Sequence, residues 1–121
     1  MEYKLLYREF QKTFPELNDR LNSISKEKNV DDEDGMHIIF GIVVTELIAN
    51  LIVSDDSEEL LKVFSFLEKM AISENSEICE VLEFSLLEDF ISRGKDYLSK
   101  CKKFMQEETL RCCLTVETYM M

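Results

Sequence analysis

Few side chains in this 121-residue sequence are of the types that carry out catalysis or bind metals. Histidine occurs once, at His37, and the four cysteines are Cys79, Cys101, Cys112 and Cys113. No two cysteines have the Cys-x-x-Cys spacing of zinc or redox sites, and a lone histidine has no second imidazole to share a metal. With only three glycines, the chain has no glycine-rich phosphate loop. The sequence therefore predicts no enzyme, no metal and no cofactor.

These few reactive side chains have structural interpretations. We expect His37 to be a partly buried structural residue at the edge of an apolar helix, because no partner for it is visible in the sequence. Free cysteines behave as small buried hydrophobic residues in a reducing compartment. The first residues, Met1 to Lys4, lack the basic-then-apolar layout of a signal peptide. We expect a cytoplasmic protein with free thiols.

Acidic side chains are abundant and concentrated. The chain has 25 acidic and 14 basic residues, for a net charge of −11. Residues 29–92 hold sixteen of the acids but only two basic groups, while the two ends are slightly basic. Asp31–Asp34 lack the ligand spacing of an EF-hand loop. This charge argues against direct binding of nucleic acid or an anionic membrane. It either confers solubility alone or forms a surface for a basic partner.

Apolar residues recur at helical spacing over most of the chain, and turn residues are scarce. We predict an all-α, single-domain protein over residues 1–121. It has six or seven helices, arranged as a bundle or as HEAT-like stacked helical hairpins. The helices are predicted over residues 3–13, 17–24, 36–53, 56–72, 76–92, 95–106 and 107–119, with the longest loop at 25–35.

The segment 36–53 is apolar on nearly all faces, which is typical of a central helix. It is about as long as a membrane span, but it contains His37, Thr45, Glu46 and Asn50 and has acidic flanks. We therefore interpret it as a buried helix of a protein without a membrane span.

Three acidic clusters and one mixed helix are the predicted partner-binding residues. In the helix at 76–92, acids surround an apolar residue, as at interface hot spots; the alternative is a central helix with acids at its margin. If the hairpins are antiparallel, the turn at 74–77 lies at the end of the domain where helix 36–53 begins. Its acids and Asp31–Asp34 are then expected to form one acidic edge. The predicted residues are Asp31, Asp32, Glu33, Asp34, Asp55, Asp56, Glu58, Glu59, Glu74, Glu77, Glu80, Glu83 and Phe84.

The 33 residues from Glu58 to Phe90 resemble a group of small bacterial helical proteins, some of which are immunity proteins encoded beside polymorphic toxins. The matching positions are Phe64, Phe66, Leu67, Glu68, Val81, Leu87, Glu88 and Phe90. The apolar positions of this motif are expected to pack in the core. Glu68 and Glu88 are expected to pack or hydrogen-bond between helices.

The resemblance implies an immunity protein, such as those of contact-dependent growth inhibition systems. Such a protein binds the C-terminal domain of its cognate toxin, expected here to be a nuclease with a basic surface. Two alternatives remain: a non-catalytic helical adaptor without a toxin partner, and a small helical enzyme or metal-binding regulator. A homodimer could form through Tyr3, Tyr7, Phe84 or the end at 119–121.

Overall fold

Seven helices make up the fold of residues 1–120, the part of the chain that this computed structural model describes. They are α1 (Leu6–Thr13), α2 (Asn18–Lys28), α3 (Met36–Val53), α4 (Ser57–Ala71), α5 (residues 76–92), α6 (Lys95–Lys102) and α7 (Glu107–Met120). Short 3₁₀ turns precede α1, α2 and α3. No strand occurs in residues 1–120. The predicted all-α class is confirmed.

The predicted boundaries hold within a few residues, except at two places. The second helix begins with a 3₁₀ turn at Pro15–Leu17 and continues to Lys28, where Asn29 ends it in the left-handed conformation. Part of the predicted loop at 25–35 is therefore helical. The helix predicted over 95–106 ends at Lys102, and residues 103–106 form the turn into α7.

The helix α3 lies at the centre of the bundle, in contact with α2, α4 and α5. An aromatic cluster joins it to the first and fourth helices: Phe10 packs against both Phe40 and Phe66, with ring centroids 5.9 and 5.2 Å apart. A second cluster, around Phe64 and Phe90, fills the other half of the core. Burying a side chain of this size stabilises the fold by about 1.5–3 kcal/mol, so these contacts hold the helices together.

Residues Met36–Val53 are also long and apolar enough to cross a membrane by length and composition, with a mean hydropathy of 2.1. Half of this segment is buried inside the domain. Core helices of water-soluble proteins meet the same criteria, so the length and composition of this helix are weak evidence for a membrane span. Its contacts with three neighbouring helices are those of a core helix.

The helices α3 and α5 run in the same direction. Gly41 of α3 packs on Ser85 of α5, and farther along both helices Glu46 meets Arg93. The helix α4 connects the end of α3 to the start of α5 and therefore runs in the opposite direction to both. The turn at residues 72–75 therefore lies at the end of the bundle where α3 begins, as the antiparallel hairpins predict.

Candidate functional site

A surface groove lies between the parallel helices α3 and α5. The first helix contributes His37, Ile38, Gly41 and Ile42. The second contributes Phe84, Ser85, Glu88, Asp89 and Ser92, and Met120 of α7 closes one side. Phe84 is the predicted binding residue that lines it. We call this feature the α3–α5 groove.

Both helices change to the wider π-helical form beside this groove, at Ile39–Val44 and Val81–Leu87. The Thr45 N–H donates to the Phe40 carbonyl, and the Glu88 N–H donates to the Glu83 carbonyl, five residues back in each case. The hydroxyl of buried Thr45 donates to the Gly41 carbonyl (2.8 Å). Single π turns inside α-helices are often found at functional sites, so two facing π turns make this groove a candidate functional site.

Large apolar side chains at the groove are left uncovered, among them Met120 of α7, which is 40% exposed. Ile38, Ile42 and Phe84 are 44%, 38% and 48% exposed, whereas most other apolar residues of α3 and α5 are buried. Exposed apolar side chains that are scattered singly are ordinary, but a contiguous set in a concave surface indicates a contact site. The groove therefore has the composition of a protein-binding surface.

Negative charge borders this apolar surface without nearby compensation. Glu83 and Glu88 make no ion pair with any described residue. Burial, followed by the charges of Glu83 and Glu88, raises the pKa of Tyr119 on α7. Glu88 therefore brings unpaired negative charge to the groove lining, whereas Glu83 lies on the side of α5 that faces α7.

Arg93 directly follows Ser92, which lines the groove. Its guanidinium lies 2.7 Å from Asp89 and 3.6 Å from Glu46, so it links α5 to α3. It also lies over the Tyr97 ring, 5.5 Å from the ring centre. Burial lowers the pKa of Arg93, but Asp89, together with Tyr97 and Glu46, raises that pKa more. The guanidinium group therefore stays positively charged. Arg93 is therefore paired within the domain and does not offer a free positive charge.

At the groove, His37 and Ser85 tie the two helices together. The His37 Nδ1 atom and the Ser85 hydroxyl oxygen lie 2.7 Å apart in a hydrogen bond. A histidine that activates a serine is usually oriented by a third group, typically a carboxylate. Among residues 1–120, no carboxylate hydrogen-bonds to His37, and Ser85 is buried. His37 is an exposed residue at the margin of the groove, not the partly buried one the sequence predicts.

The first predicted acidic cluster, Asp31–Asp34, is exposed and hydrogen-bonded within itself. The Asp31 carboxylate accepts the Glu33 N–H (2.8 Å), and the Asp34 carboxylate accepts the Asp31 N–H (2.9 Å). This is a capping box on the turn before α3, and it satisfies backbone donors locally. Asp31 and Asp34 therefore have a structural role in addition to any role in binding.

The second cluster lies at the opposite end of α3. Asp56 is the N-cap of α4 and accepts the Glu59 N–H at 3.3 Å, while Asp55 takes a left-handed turn conformation. Glu58 is exposed. Glu59 is half-buried beside Glu16, and this neighbouring carboxyl group, followed by burial, raises the pKa of Glu59. The cluster follows the end of α3, whereas the groove residues of α3 lie near its start.

The remaining predicted acids lie along the start of α5. Glu74 and Glu77 are exposed in the turn and first residues, where Asn75 caps the helix by accepting the Glu77 N–H at 2.9 Å. Glu80 is exposed and Glu83 is half-buried. The N-terminal segment lies beside both parts of the predicted acidic edge: Met1 lines a pocket with Glu74, and Lys4 lines another with Asp32.

The sequence did not place Ile38, Ile42, Glu88 or Met120 at a partner-binding surface; Glu88 was expected to pack or hydrogen-bond between helices, and Met120 was considered only for a homodimer. Ile38 and Ile42 lie in a helix that is apolar on all sides, which hides the uncovered edge. Glu88 shares an acidic arc with Phe84 on the helical wheel, and that arc was the available signal. Of the residues considered for a homodimer, Tyr7 is 4% exposed and is not available, because it packs against Phe40. Met121 lies outside the described residues.

Glu68, singled out by the family resemblance, binds the start of α7. Its carboxylate accepts the backbone N–H groups of Glu108 (3.0 Å) and Thr109 (2.8 Å) and the Thr109 hydroxyl (2.8 Å). Burial alone raises the pKa of Glu68, but these hydrogen bonds outweigh it and lower that pKa. The expected role between helices is confirmed for Glu68.

The four cysteines are free thiols. The Cys79 thiol donates to the Ser73 carbonyl (3.3 Å), where the chain leaves α4. Burial raises the pKa of Cys101 and of Cys113 to about 12. In residues 1–120, no group of three or more histidine, cysteine or acidic side chains is arranged to hold a metal ion.

By its fold, the molecule is a small all-helical protein. Residues 7–120 match the domain of unknown function DUF7674, and the chain belongs to this family. No curated protein and no solved structure matches the chain at a significant level.

Proposed function

We propose that this protein is a cytoplasmic immunity protein, which binds the C-terminal domain of a cognate toxin and neutralises it without catalysis. The proposal combines the bacterial immunity-protein resemblance of residues 58–90 with the charge of the surface. The toxin domain is a nuclease with a basic substrate-binding surface, which an acidic inhibitor covers by imitating phosphate.

The observation that carries the proposal is the uncompensated charge. Of the sixteen acidic side chains in residues 29–92, three form an ion pair: Glu46, Glu59 and Asp89. One more, Glu68, is occupied at the start of α7. Like charges repel one another and reduce the stability of a compact chain. A basic partner would remove that repulsion and would associate quickly by electrostatic steering.

Co-expression in bacteria tests this function. The domain to co-express is the C-terminal domain of whichever large secreted protein is encoded upstream of this gene, and the immunity function requires such a neighbour. We expect this chain to restore growth, and its affinity for the purified domain to fall with increasing salt. A variant with Glu80, Glu83 and Glu88 changed to Gln controls for the role of charge. Growth arrest despite soluble expression of the unchanged chain would contradict the proposal and favour an adaptor without a toxin partner.

A further inference from the structure

We propose that the α3–α5 groove binds one basic amphipathic helix of the partner protein. This inference deepens the proposed function and rests on it, because it identifies the recognition surface and the chemistry of the segment that is recognised. Apolar side chains of that helix pack on Ile38, Ile42 and Phe84. Its lysine or arginine side chains face Glu88, which lines the groove.

The uncovered apolar side chains come from two helices, and this arrangement favours a third helix as the occupant. Ile38 and Ile42 are four residues apart on α3, and Phe84 stands opposite them on α5. Side chains at this spacing form a ridge, and a helix packs its own ridge into the groove between two others. The partner is therefore expected to present apolar residues at i, i+3 or i+4, and i+7.

The backbone of the groove points to the same occupant. An extended peptide binds by pairing its N–H and C=O groups with an open sheet edge, and residues 1–120 contain no strand. The groove walls are continuous helices whose backbone groups are bonded within each helix. A helix satisfies its own backbone groups before it docks, so it loses no hydrogen bonds in this groove.

Charge decides between a basic partner and a second copy of this chain. Glu88 lines the groove beside the apolar residues without an ion pair to a described residue, and the nearby Arg93 is already paired with Asp89 and Glu46. Two copies joined through this groove would bring their Glu88 carboxylates together in chains that each carry a net charge of −11. Like charges across an interface oppose association, whereas lysine or arginine would neutralise them.

A synthetic peptide tests the groove directly. The probe is a 14-residue peptide of leucine and lysine with leucine at helical i, i+3, i+4 spacing. Two matched peptides have glutamate in place of lysine, or a central proline that breaks the helix. Fluorescence anisotropy measures the Kd, and the methyl NMR signals of Ile38 and Ile42 report the site. We expect only the basic helical peptide to bind and to shift these two signals.

Paired variants separate the groove from the general charge. Ile42→Ala combined with Phe84→Ala should weaken peptide binding at least tenfold, whereas Leu61→Ala, at an exposed site on α4, should leave it unchanged. Glu88→Lys should weaken binding more than Glu58→Lys, which changes the net charge equally but lies at the far end of α3. Equal losses from the two charge reversals, or peptide binding that leaves the Ile38 and Ile42 methyl signals unshifted, would overturn the proposal.

The toxin domain provides a second, independent readout. If the unchanged chain restores growth and the Ile42/Phe84 double variant restores it equally well, the immunity function stands and the groove proposal is wrong. If the unchanged chain fails to restore growth while the peptide still binds at the groove, the immunity function is wrong and the surface assignment stands. Circular dichroism melting confirms that each variant is folded.

Discussion

The Glu68 carboxylate on α4 accepts two hydrogen bonds from Thr109, one from its backbone N–H and one from its hydroxyl, both 2.8 Å long. Thr109 lies in the first turn of α7, so a side chain 41 residues earlier caps that helix. An acid at a helix N-terminus also interacts favourably with the helix dipole. Glu68 therefore joins the start of α7 to α4, in addition to the buried Cys113 and Val116 of α7.

Replacing Glu68 with Ala should lower the free energy of unfolding by about 1–2 kcal/mol, the range measured for lost helix caps. The pKa of Glu68 is lower in the folded protein, so its stabilising effect is complete above its ordinary pKa of 4.5. The effect disappears as the pH falls through the lowered value. Urea unfolding from pH 7 to pH 3 measures this. A difference between the unchanged chain and Glu68→Gln that stays constant over this range would contradict the assignment.

Truncation of Phe64 and truncation of Phe84 should change the free energy of unfolding by very different amounts. Phe64 is fully buried, and Phe64→Ala should cost about 3–5 kcal/mol because it leaves a cavity. Phe84 is half-exposed in the α3–α5 groove, and Phe84→Ala should change stability by less than about 0.5 kcal/mol. Chemical unfolding of both variants measures the difference. A large loss from Phe84→Ala would show that its ring supports the fold.

The glycines in α3 and before α6 should behave differently when a methyl group is added. At Gly41 a Cβ would lie 3.6 Å from the Ser85 Cβ, an ordinary contact, so Gly41→Ala should stabilise the helix by about 0.5–1 kcal/mol. Gly94 has a φ of +110°, which alanine rarely adopts, so Gly94→Ala should destabilise by about 1 kcal/mol or more. Thermal melts of the two variants are the measurement. A lower Tm for Gly41→Ala would mean that the two π turns cannot accept the added methyl group.

The thiols should react with alkylating reagents in two groups. The thiolate is the reactive form, and burial raises the pKa of Cys101 and Cys113 to about 12, so about one in ten thousand is ionised at pH 8. Cys79 and Cys112 are half-buried, and burial followed by the charge of Glu83 raises their pKa as well. Iodoacetamide labelling with peptide mass spectrometry should therefore find Cys79 and Cys112 modified before the other two. Labelling in urea serves as the control, and equal rates for all four in the native protein would contradict the burial.

Much of the helix pattern could be predicted because apolar periodicity and caps are local properties of the sequence. Asn75 caps α5 and Asp56 caps α4, within the polar stretches where helix starts were expected. The same local preference for caps explains why acidic clusters are ambiguous from sequence. Asp31, Asp34 and Asp56 bind backbone N–H groups, a use that the capping pattern also allowed.

The groove could not be predicted because it depends on how helices pack. The helix α3 is apolar around its circumference, and only the distance from α5 decides that Ile38 and Ile42 stay uncovered. The π turns are also invisible to a search for a period of 3.6 residues, since no glycine or proline marks the one in α5. Phe84 could be selected because acids surround it on the helical wheel. Its neighbours across the groove could not.

The facing π turns have a consequence for how this chain tolerates changes in length. A π turn holds one residue more than a regular turn, so deleting a residue within 81–87 would restore an α-helix while the core contacts upstream persist. Because the deletion would remove only the extra residue of the π turn, it would not rotate the remainder of α5. In an ordinary helix, deleting one residue rotates everything that follows by about 100°. Helices α3 and α5 are therefore each expected to absorb a one-residue deletion at the groove. Elsewhere in the bundle, the same deletion would turn a buried face toward solvent.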